Sequence, residues 1–460
     1  MRGVWNTERV KAAEEELMAV VPPGSLMRRA AFGVATTALS LLRGKRRVTL
    51  LVGAGNNGGD ALWAGYFLRR RGVAVSAVLL NPDKAHAEGL AAFRRAGGRV
   101  TSSVGSPDLV IDGIVGLSAR GPLRPAAAAL VSSVTAPILS VDLPSGIDPD
   151  TGAVDGPFVR AHTTVTFGCL KPVHALASCG DVRLVDIGLR PSDPDFVVLD
   201  RSDVAWPVPG PADDKYTQGV TGVAAGSAVY PGAAVLATGA AVLATSGMVR
   251  YTGPAADAIR ARWPETICTG SIGDAGRVQS WVVGPGLGTT HASADVVRFV
   301  LDAGVPVIAD ADAITLLAQD SSLWDARDPG TPLVLTPHDR EFERLCGPVG
   351  VDRVGAARKA AERFNAVVLL KGHRTVVAAP DGRVLVNPAS SSWAATAGSG
   401  DVLSGIIGAL LAAGVDPWLA AGYAAHVHVL AAELAARGAP APASALMTCI
   451  SDAIRTVRGL

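Results

Sequence analysis

Short apolar runs alternate with helical patterns along the first part of the chain. The apolar runs occupy residues 48–55, 74–80, 109–116 and 137–144, and helical stretches occupy residues 60–71 and 86–96. A strand that is apolar at nearly every position is buried on both faces, as in a parallel sheet covered by helices. The pattern therefore predicts a doubly wound α/β sheet, in which ligands bind at the carboxyl ends of the strands.

The alternation is interrupted once, which indicates a domain boundary. Residues 188–214 are rich in Pro and Asp and show little periodicity, and the alternation resumes from residue 219. Further apolar runs follow at residues 280–286, 305–310, 332–337 and 366–372. A chain of 460 residues is long enough for two large α/β domains, which we predict at residues 1–205 and 206–460.

The stretch 219–249 contains no charged residue and is longer than a membrane helix requires. It consists mainly of Ala, Gly, Thr and Ser, and Tyr230-Pro231-Gly232 interrupts it with a turn signal. We therefore interpret it as a buried strand, a loop and a helix of small residues that packs closely against a sheet.

The composition narrows the function classes. With 49% hydrophobic residues, 18% charged residues and a net charge of +1, the chain is typical of a globular protein rather than a nucleic-acid binder. Its five cysteines are widely and irregularly spaced, which favours reduced thiols over zinc ligands or disulfides. The amino-terminal residues lack the layout of a signal peptide. We expect a cytoplasmic homo-oligomer that binds neither nucleic acid nor a membrane.

A glycine-rich turn follows the first apolar run. Gly53, Gly55 and Gly58 fit the pattern G-x-G-x-x-G, which alone is a weak indication of dinucleotide binding. The acidic residue that would bind a ribose is not clearly present, because Asp83 comes late and follows a proline. Residues 56–60, Asn-Asn-Gly-Gly-Asp, instead supply two amides and a carboxylate, whose oxygens suit a hard cation or a polar ligand.

Two further carboxylates, Asp112 and Asp142, end apolar runs. Because the carboxyl ends of parallel strands meet at one edge of a sheet, both are expected near the glycine-rich turn. A single Asp of this kind is more readily explained as a helix N-cap or a turn former. Three polar strand ends in one sheet favour a site.

Four segments together resemble the NAD(P)HX epimerases over about the first 190 residues: GAGNNGGD at 53–60, IDGIVGLSARGPLR at 111–124, DLPSGID at 142–148 and TVTFGCLKP at 164–172. The resemblance implies that Asn57, Asp112 and Ser145 bind a potassium ion. It also implies substrate contacts from Asn56, Asn57, Gly58, Gly59, Asp60, Gly116, Leu117, Ser118, Ala119, Arg120, Gly121, Pro122 and Asp142. Opening and reclosing the hydrated ring requires a base, for which we predict Asp142, with Lys171 as a second acid–base candidate.

A second glycine-rich turn, at residues 398–401, precedes an uncharged helical run. Backbone N–H groups at such a helix start bind anions, and Asp401 at its mouth can take a proton from a hydroxyl that attacks phosphorus. A capped helix after a tight turn is the alternative for this motif in isolation.

The neighbouring motifs GPGLG at 284–288, DADAITLLA at 310–318, LTPHDREFERL at 335–345 and LLKGHRTVV at 369–377 resemble the ADP- or ATP-dependent NAD(P)HX dehydratases of the ribokinase-like fold. The resemblance implies nucleotide contacts from Lys371, Gly372, His373, Arg374, Thr375 and Gly400. It implies contacts to the hydrated dinucleotide from Ala233, Gly286, His338 and Asp401. By the same resemblance Glu341 holds magnesium through water, whereas Asp312 is either a cap or a ligand. His426 and His428 are interpreted as packing residues.

These inferences predict a Rossmann-like three-layer α/β/α domain followed by a ribokinase-like α/β domain. The predicted enzyme epimerises the R and S forms of hydrated NADH and NADPH (NADHX and NADPHX) and dehydrates the S form with ADP or ATP. ADP would yield AMP and phosphate, and the cofactors would be K⁺ in the first domain and Mg²⁺ in the second.

Two alternatives stay open at this stage. The second domain could be a kinase for a vitamin or sugar, with a regulatory nucleotide-binding first domain. The first domain could also be inactive and serve in binding or assembly, although the presence of Asn57, Asp112, Asp142 and Ser145 speaks against this.

Overall fold

The computed structural model describes residues 1–245, 247–389 and 391–460. The chain divides into two compact units, residues 2–196 and residues 197–460, the latter together with Met1. Both units are α/β structures built on largely parallel sheets, which confirms the predicted fold class. The exact domain limits at 205 and 206 stay a prediction.

The first unit has a parallel sheet that helices cover on both faces. Its strands are β1 (Arg2–Val4), β2 (Arg47–Val52), β3 (Ala74–Leu79), β4 (Arg99–Thr101), β5 (Leu109–Gly113), β6 (Ile138–Val141), β7 (Thr163–Phe167) and β8 (Asp181–Val185). Its helices are α1 (Thr7–Val20), α2 (Ser25–Leu42), α3 (Asn56–Arg69), α4 (Ala87–Arg95), α5 (Pro125–Ser132) and α6 (Pro172–Leu176), with a 3₁₀ turn at Pro82–Lys84. The sheet contains seven of these strands in the order β4-β3-β2-β5-β6-β7-β8, and β1 does not belong to it.

Successive side chains of β2 are buried on opposite faces of the sheet, which explains why nearly every position of this strand is apolar. Leu50 packs into a core with α2 and α3, whereas Leu51 packs into the opposite core with α5. Both side chains are fully buried. Asp112 lies near the end of β5 and Asp142 directly follows β6, at the edge of the sheet where the sites described below lie.

The second unit repeats this organisation with other elements. Its strands are β9 (Phe196–Val198), β10 (Val220–Ala224), β11 (Met248–Thr252), β12 (Ile267–Thr269), β13 (Ser280–Val283), β14 (Val307–Ala309), β15 (Leu333–Leu335), β16 (Val367–Leu370), β17 (Arg374–Ala378) and β18 (Val384–Pro388). Their order is β9-β18-β17-β16-β15-β14-β13-β10-β11-β12, and the two pairs that β17 makes are antiparallel.

The helices of the second unit lie between and after these strands. They are α7 (Pro231–Ala244), α8 (Ala256–Arg262), α9 (His291–Asp302), α10 (Asp312–Gln319), α11 (Asp339–Cys346), α12 (Arg353–Phe364), α13 (Ser399–Ala412), α14 (Pro417–Ala436), α15 (Ala443–Thr448) and α16 (Ile450–Val457). Short 3₁₀ turns occur at Arg201–Asp203, Ile272–Asp274 and Ser321–Ala326.

The uncharged stretch folds as β10, a loop and α7, in agreement with the sequence interpretation. Helix α7 packs closely against α13 because small residues line the contact, and a Cβ built on Gly405 would lie 2.2 Å from Ala237 O. Helix α14 is long and apolar enough to cross a membrane, and 61% of its most apolar window is buried inside the structure.

We expect Gly405→Ala to destabilise the second unit by about 1–3 kcal/mol, the usual cost of overpacking. The added Cβ cannot be accommodated unless α7 and α13 separate. Urea unfolding followed by tryptophan fluorescence measures the change, because only Trp5 and Trp63 of the 8 tryptophans lie in the first unit. Gly232→Ala is the control, since its Cβ would meet no atom within 4 Å. Equal stability of the two variants would contradict the packing argument.

Candidate active sites

A cavity of about 520 Å³, here called the Asp142 cavity, lies at the carboxyl edge of the first sheet. The predicted substrate residues that line it are Asn56, Asn57, Asp60, Gly116, Leu117, Ser118, Ala119 and Asp142. Gly58 and Gly59 are instead buried in the first turn of α3. Arg120, Gly121 and Pro122 line a neighbouring cavity of about 430 Å³, called the Arg124 cavity after another of its lining residues.

Asp142 follows β6 and is paired with Lys171, which follows β7. The Lys171 ammonium, 1% exposed, donates to three oxygens: Asp142 Oδ1 at 2.8 Å, Thr166 Oγ1 at 2.9 Å and Phe167 O at 3.0 Å. Burial alone would raise the pKa of Asp142, but the charge and hydrogen bond of Lys171 outweigh it and lower that pKa below its usual value. Asp142 is therefore held as a carboxylate, and the lysine protons point at protein atoms.

His174, which the sequence analysis missed, holds the backbone of Asp142. The Lys171 N–H donates to His174 Nδ1 at 2.9 Å, so Nε2 carries the proton and donates to Asp142 O at 2.7 Å. Burial and the Lys171 charge lower the pKa of His174 to about 4, which keeps the ring neutral. Asp142 has φ of 67°, unusual for a residue other than glycine, and this hydrogen bond stabilises it there.

Asp60 lines the same cavity but, unlike Asp142, favours its protonated form. Its Oδ1 is buried and has no hydrogen-bond partner among the described residues. Burial raises the pKa of Asp60 well above its usual range, and the charges of Asp142 and Glu14 raise it further. Glu14 of α1 also lines the cavity, although no sequence pattern pointed to it. The cavity thus combines an ionised carboxylate with a carboxyl group that favours its protonated form.

The three predicted potassium ligands lie together around Val115. Asp112 is fully buried and accepts hydrogen bonds from Ser140 Oγ at 2.8 Å and from Ser145 Oγ and N at 2.7 and 3.0 Å. Asn57 Nδ2 donates to Val115 O at 2.7 Å, and Val115 N donates to Ser145 Oγ at 3.1 Å. Burial raises the pKa of Asp112 despite these bonds. Hard cations prefer such oxygen donors, and a cation would offset the buried charge.

The second site lies at the start of α13. Asp401 is in the first turn of this helix, whose N-cap Gly398 has φ of 86°. Burial raises the pKa of Asp401 to about 7, and the charge of Asp310 raises it while Lys371 opposes the rise. A carboxylate with this pKa can accept a proton near neutral pH.

Asp310, which the sequence analysis did not assign, anchors the second site. It is 1% exposed and accepts hydrogen bonds from Lys371 Nζ and Ser404 Oγ, each at 2.7 Å. Burial lowers the pKa of Lys371, but Asp310 and Glu341 outweigh it, so the pKa is raised and the lysine stays charged. A Cβ built on Gly400 would lie 3.4 Å from Lys371 Nζ. The ammonium therefore lies against the anion-binding turn.

Other predicted residues surround this cluster. His338 N donates to Glu341 Oε2 at 2.9 Å, and Glu341 N donates to His338 Nδ1 at 3.1 Å, so the two cap α11 reciprocally. A Cβ built on Gly286 would lie 2.8 Å from the Cβ of Ala233, which places these two residues side by side. Asp312, the first residue of α10, accepts a hydrogen bond from Gly288 N at 2.8 Å and so joins α10 to the glycine-rich loop after β13.

The predicted nucleotide segment separates into two parts. Lys371 belongs to the Asp310 cluster, whereas Gly372 and His373 are exposed before β17. Arg374 Nη1 donates to Ala389 O at 3.0 Å, and Thr375 Oγ1 donates to Gly372 O at 3.0 Å. The structure therefore brings Lys371 and Gly400 together without bringing His373 to the same point.

The two histidines of α14 contact different neighbours. His428 Nε2 lies 2.9 Å from Ser399 O, and His426 Nδ1 lies 3.3 Å from Asn387 Oδ1. Burial lowers the pKa of His428 to about 4. A neutral His428 therefore supports the turn that carries Asp401.

Comparisons with known proteins match both parts of the chain. A family described as NAD(P)H-hydrate dehydratase matches residues 221–455, and one described as YjeF-related protein N-terminus matches residues 23–173. The chain is 56% identical to the bifunctional NAD(P)H-hydrate repair enzyme Nnr of Mycobacterium leprae, over 95% of this chain and 94% of the relative. It is 57% identical to the Nnr of Mycobacterium tuberculosis (strain ATCC 25618 / H37Rv), over 90% of each chain.

Among solved structures, the chain is similar to the ADP/ATP-dependent NAD(P)H-hydrate dehydratase from Bacillus subtilis co-crystallized with ATP/Mg²⁺. The sequence identity is 27% and the TM-score is 0.52, and the match covers 57% of this chain and 99% of that chain. The similarity therefore extends over nearly the whole of that dehydratase and over little more than half of this chain.

Lys171→Met is expected to destabilise the first unit by about 3–5 kcal/mol, because it leaves the buried Asp142 carboxylate without its cation. Hydrogen–deuterium exchange of the β6 and β7 amides measures the loss in the full-length protein. The double variant Asp142→Asn, Lys171→Met should recover part of it, since no buried charge remains. Arg190→Met, which breaks an exposed pair with Asp186, is the control and should have little effect. A Lys171→Met protein as protected as the wild type would contradict the assignment.

Proposed function

The chain belongs to the bifunctional NAD(P)H-hydrate repair enzymes, and we propose that Asp142 and Asp401 carry its two reactions. The first unit interconverts R- and S-NAD(P)HX, and the second dehydrates the S form. The observation that supports this most directly is that each site contains a buried carboxylate paired with a lysine: Asp142 with Lys171 at 2.8 Å, and Asp310, whose charge acts on Asp401, with Lys371 at 2.7 Å. Since the family combines both activities, neither the kinase nor the inactive-domain alternative is retained.

In the first unit, Asp142 acts as the base and Asp60 as the acid. Asp142 takes the proton of the ring hydroxyl as the bond from that carbon to the ring nitrogen breaks and a carbonyl forms. Protonated Asp60 gives its proton to the nitrogen. Reclosure on the other face of the carbonyl reverses both transfers and yields the other epimer. Lys171 is a positioning residue here, because its three protons are bonded to Asp142, Thr166 and Phe167.

In the second unit, the ring hydroxyl becomes a phosphate ester because hydroxide is a poor leaving group. Asp401 takes the hydroxyl proton while the oxygen attacks the terminal phosphoryl group of ADP and AMP leaves. The phosphate then departs with the electrons of the carbon–oxygen bond, and a proton leaves the neighbouring ring carbon as the double bond re-forms. The N–H groups at the start of α13 and the Lys371 ammonium stabilise the phosphoryl oxygens.

The proposal includes two ions that the residues fit. Asn57, Asp112 and Ser145 would hold potassium, whose charge stabilises the buried carboxylate. Glu341 would hold magnesium through water, which neutralises phosphoryl charge during transfer. The name of the Bacillus subtilis structure gives an ADP/ATP-dependent enzyme crystallised with ATP/Mg²⁺, which supports a nucleotide donor together with magnesium. We propose ADP as the donor.

Combining the two reactions has a chemical reason. Only the S epimer is dehydrated, so a chain with both activities can repair the whole NADHX and NADPHX pool. The near-neutral charge of +1 supports small-molecule substrates without a nucleic-acid partner. We further propose that the enzyme is a homo-oligomer and works in the cytoplasm.

The first test is incubation of the full-length protein with an R/S mixture of NADHX, ADP, Mg²⁺ and K⁺. We expect complete conversion to NADH, with phosphate and AMP formed in equal amounts. Asp142→Asn should stop near the S fraction, and Asp401→Asn should form no NADH while epimerisation continues. Incomplete conversion by the wild type would remove the epimerase assignment. An accumulating phosphorylated product would contradict the dehydratase assignment.

The pH dependence of dehydration tests the role of Asp401. Its pKa of about 7 implies that kcat/KM falls as the pH drops through neutrality, because protonated Asp401 cannot act as the base. Asp310→Asn removes a charge that raises this pKa, so the midpoint should move to lower pH. Asp302→Asn, an exposed carboxylate of α9, is the control. If the midpoint stays fixed in Asp310→Asn, Asp310 does not set the protonation of Asp401.

A further inference from the structure

The two cavities of the first unit share lining residues along the carboxyl edge of the sheet and are together called the groove. The Arg124 cavity is lined by segments that follow β2, β3 and β5. Ala54, Val115 and Ala119 line both this cavity and the Asp142 cavity. A ligand longer than a single ring can therefore extend from one cavity into the other.

The strand order gives the ligand a direction in this groove. The order β4-β3-β2-β5-β6-β7 is that of dinucleotide-binding sheets, in which the pyrophosphate lies at the first strand–helix turn. That turn joins β2 to α3, and a Cβ built on its Gly55 would meet no atom within 4 Å, so a pyrophosphate has room there. Asp142 places the reacting ring on the β6 side. The adenosine half then reaches the β3 side, where the Arg124 cavity lies.

The polar groups of the Arg124 cavity suit a phosphate better than a ribose diol. Sheets that bind NAD use an Asp or Glu after the second strand for the ribose hydroxyls, whereas an Arg accommodates the 2′-phosphate of NADP. Here the uncharged Asn81 follows β3 and lines the cavity. Asp83 lies in the 3₁₀ turn beyond it, outside the lining. Arg124, the exposed N-cap of α5, supplies the cation.

Arg124 is available to bind an anion, whereas the nearby Arg120 is not. Arg120 is occupied by ion pairs with Asp148 at 3.3 Å and Asp150 at 2.7 Å. Over residues 1–245, 247–389 and 391–460, no ion pair or hydrogen bond engages the Arg124 guanidinium. A bound phosphate would therefore not have to displace an internal partner.

We propose that the Arg124 cavity binds the adenosine half of the hydrated dinucleotide and that Arg124 contacts its 2′-phosphate, so that the epimerase distinguishes NADPHX from NADHX. The inference rests on the proposed function, since its ligand is the epimerase substrate. Arg124 determines specificity without touching the reacting ring.

The test compares epimerisation of R-NADPHX and R-NADHX by full-length Arg124→Ala and Asn81→Asp proteins. The Asp142→Asn protein, in excess with ADP, converts each S product to reduced dinucleotide and so reports the epimerisation rate. Arg124→Ala should lower kcat/KM for NADPHX by roughly 10- to 150-fold, the worth of one hydrogen bond to a charged group, mainly through KM. Asn81→Asp should lower the same value, because it places a negative charge beside the 2′-phosphate. In Arg124→Ala the value for NADHX should change by less than about twofold, because NADHX has no 2′-phosphate for Arg124 to contact.

Arg95→Ala removes another exposed arginine of the first unit, from the last turn of α4, and should leave both substrates unaffected. Equal losses on both substrates, or an unchanged NADPHX to NADHX ratio in Arg124→Ala, would overturn the inference while leaving the proposed function intact. A wild-type protein that epimerises neither substrate would overturn the proposed function, and the inference with it.

Discussion

Both active sites depend on a carboxylate buried at the end of a parallel strand. Removing an ion from water costs on the order of several kcal/mol, so such a group stays ionised only beside a cation or several donors. Asp142 and Asp310 each pair with a lysine, at 2.8 and 2.7 Å. Asp112 relies on hydroxyl and N–H groups instead, which leaves its charge uncompensated and gives a reason for a cation at that point.

In each site the charge of one carboxylate adds to burial in raising the pKa of a second carboxyl group. Burial and the Asp142 charge raise the pKa of Asp60, and burial and the Asp310 charge raise that of Asp401. Two carboxyl groups with separated pKa values supply an acid and a base from one residue type. The first site uses the ionised member as its base, whereas the second uses the member with the raised pKa.

Local patterns allowed much of this arrangement to be predicted from the sequence. Asp112, Asp142 and Asp401 stand beside apolar runs or glycine turns, so their places at strand ends and at a helix start follow from the alternation alone. The partners could not be found in this way. Asp310 and Lys371 are 61 residues apart and meet only because their strands share a sheet. Arg124 is the last residue of a recognised segment, but its role depends on a cavity that no local pattern describes.

The two sites differ in how they balance charge when the substrate binds. The ion pair of Asp142 and Lys171 has no net charge. The reaction on the hydrated ring therefore needs no additional charged group to balance this pair. In the second site Asp310, Glu341 and Asp401 share the single ammonium of Lys371. A bound nucleotide adds negative charge and would raise the pKa of Asp401 further, which would disable the base. A divalent cation bound with the nucleotide would neutralise that charge and so would favour proton abstraction as well as phosphoryl transfer.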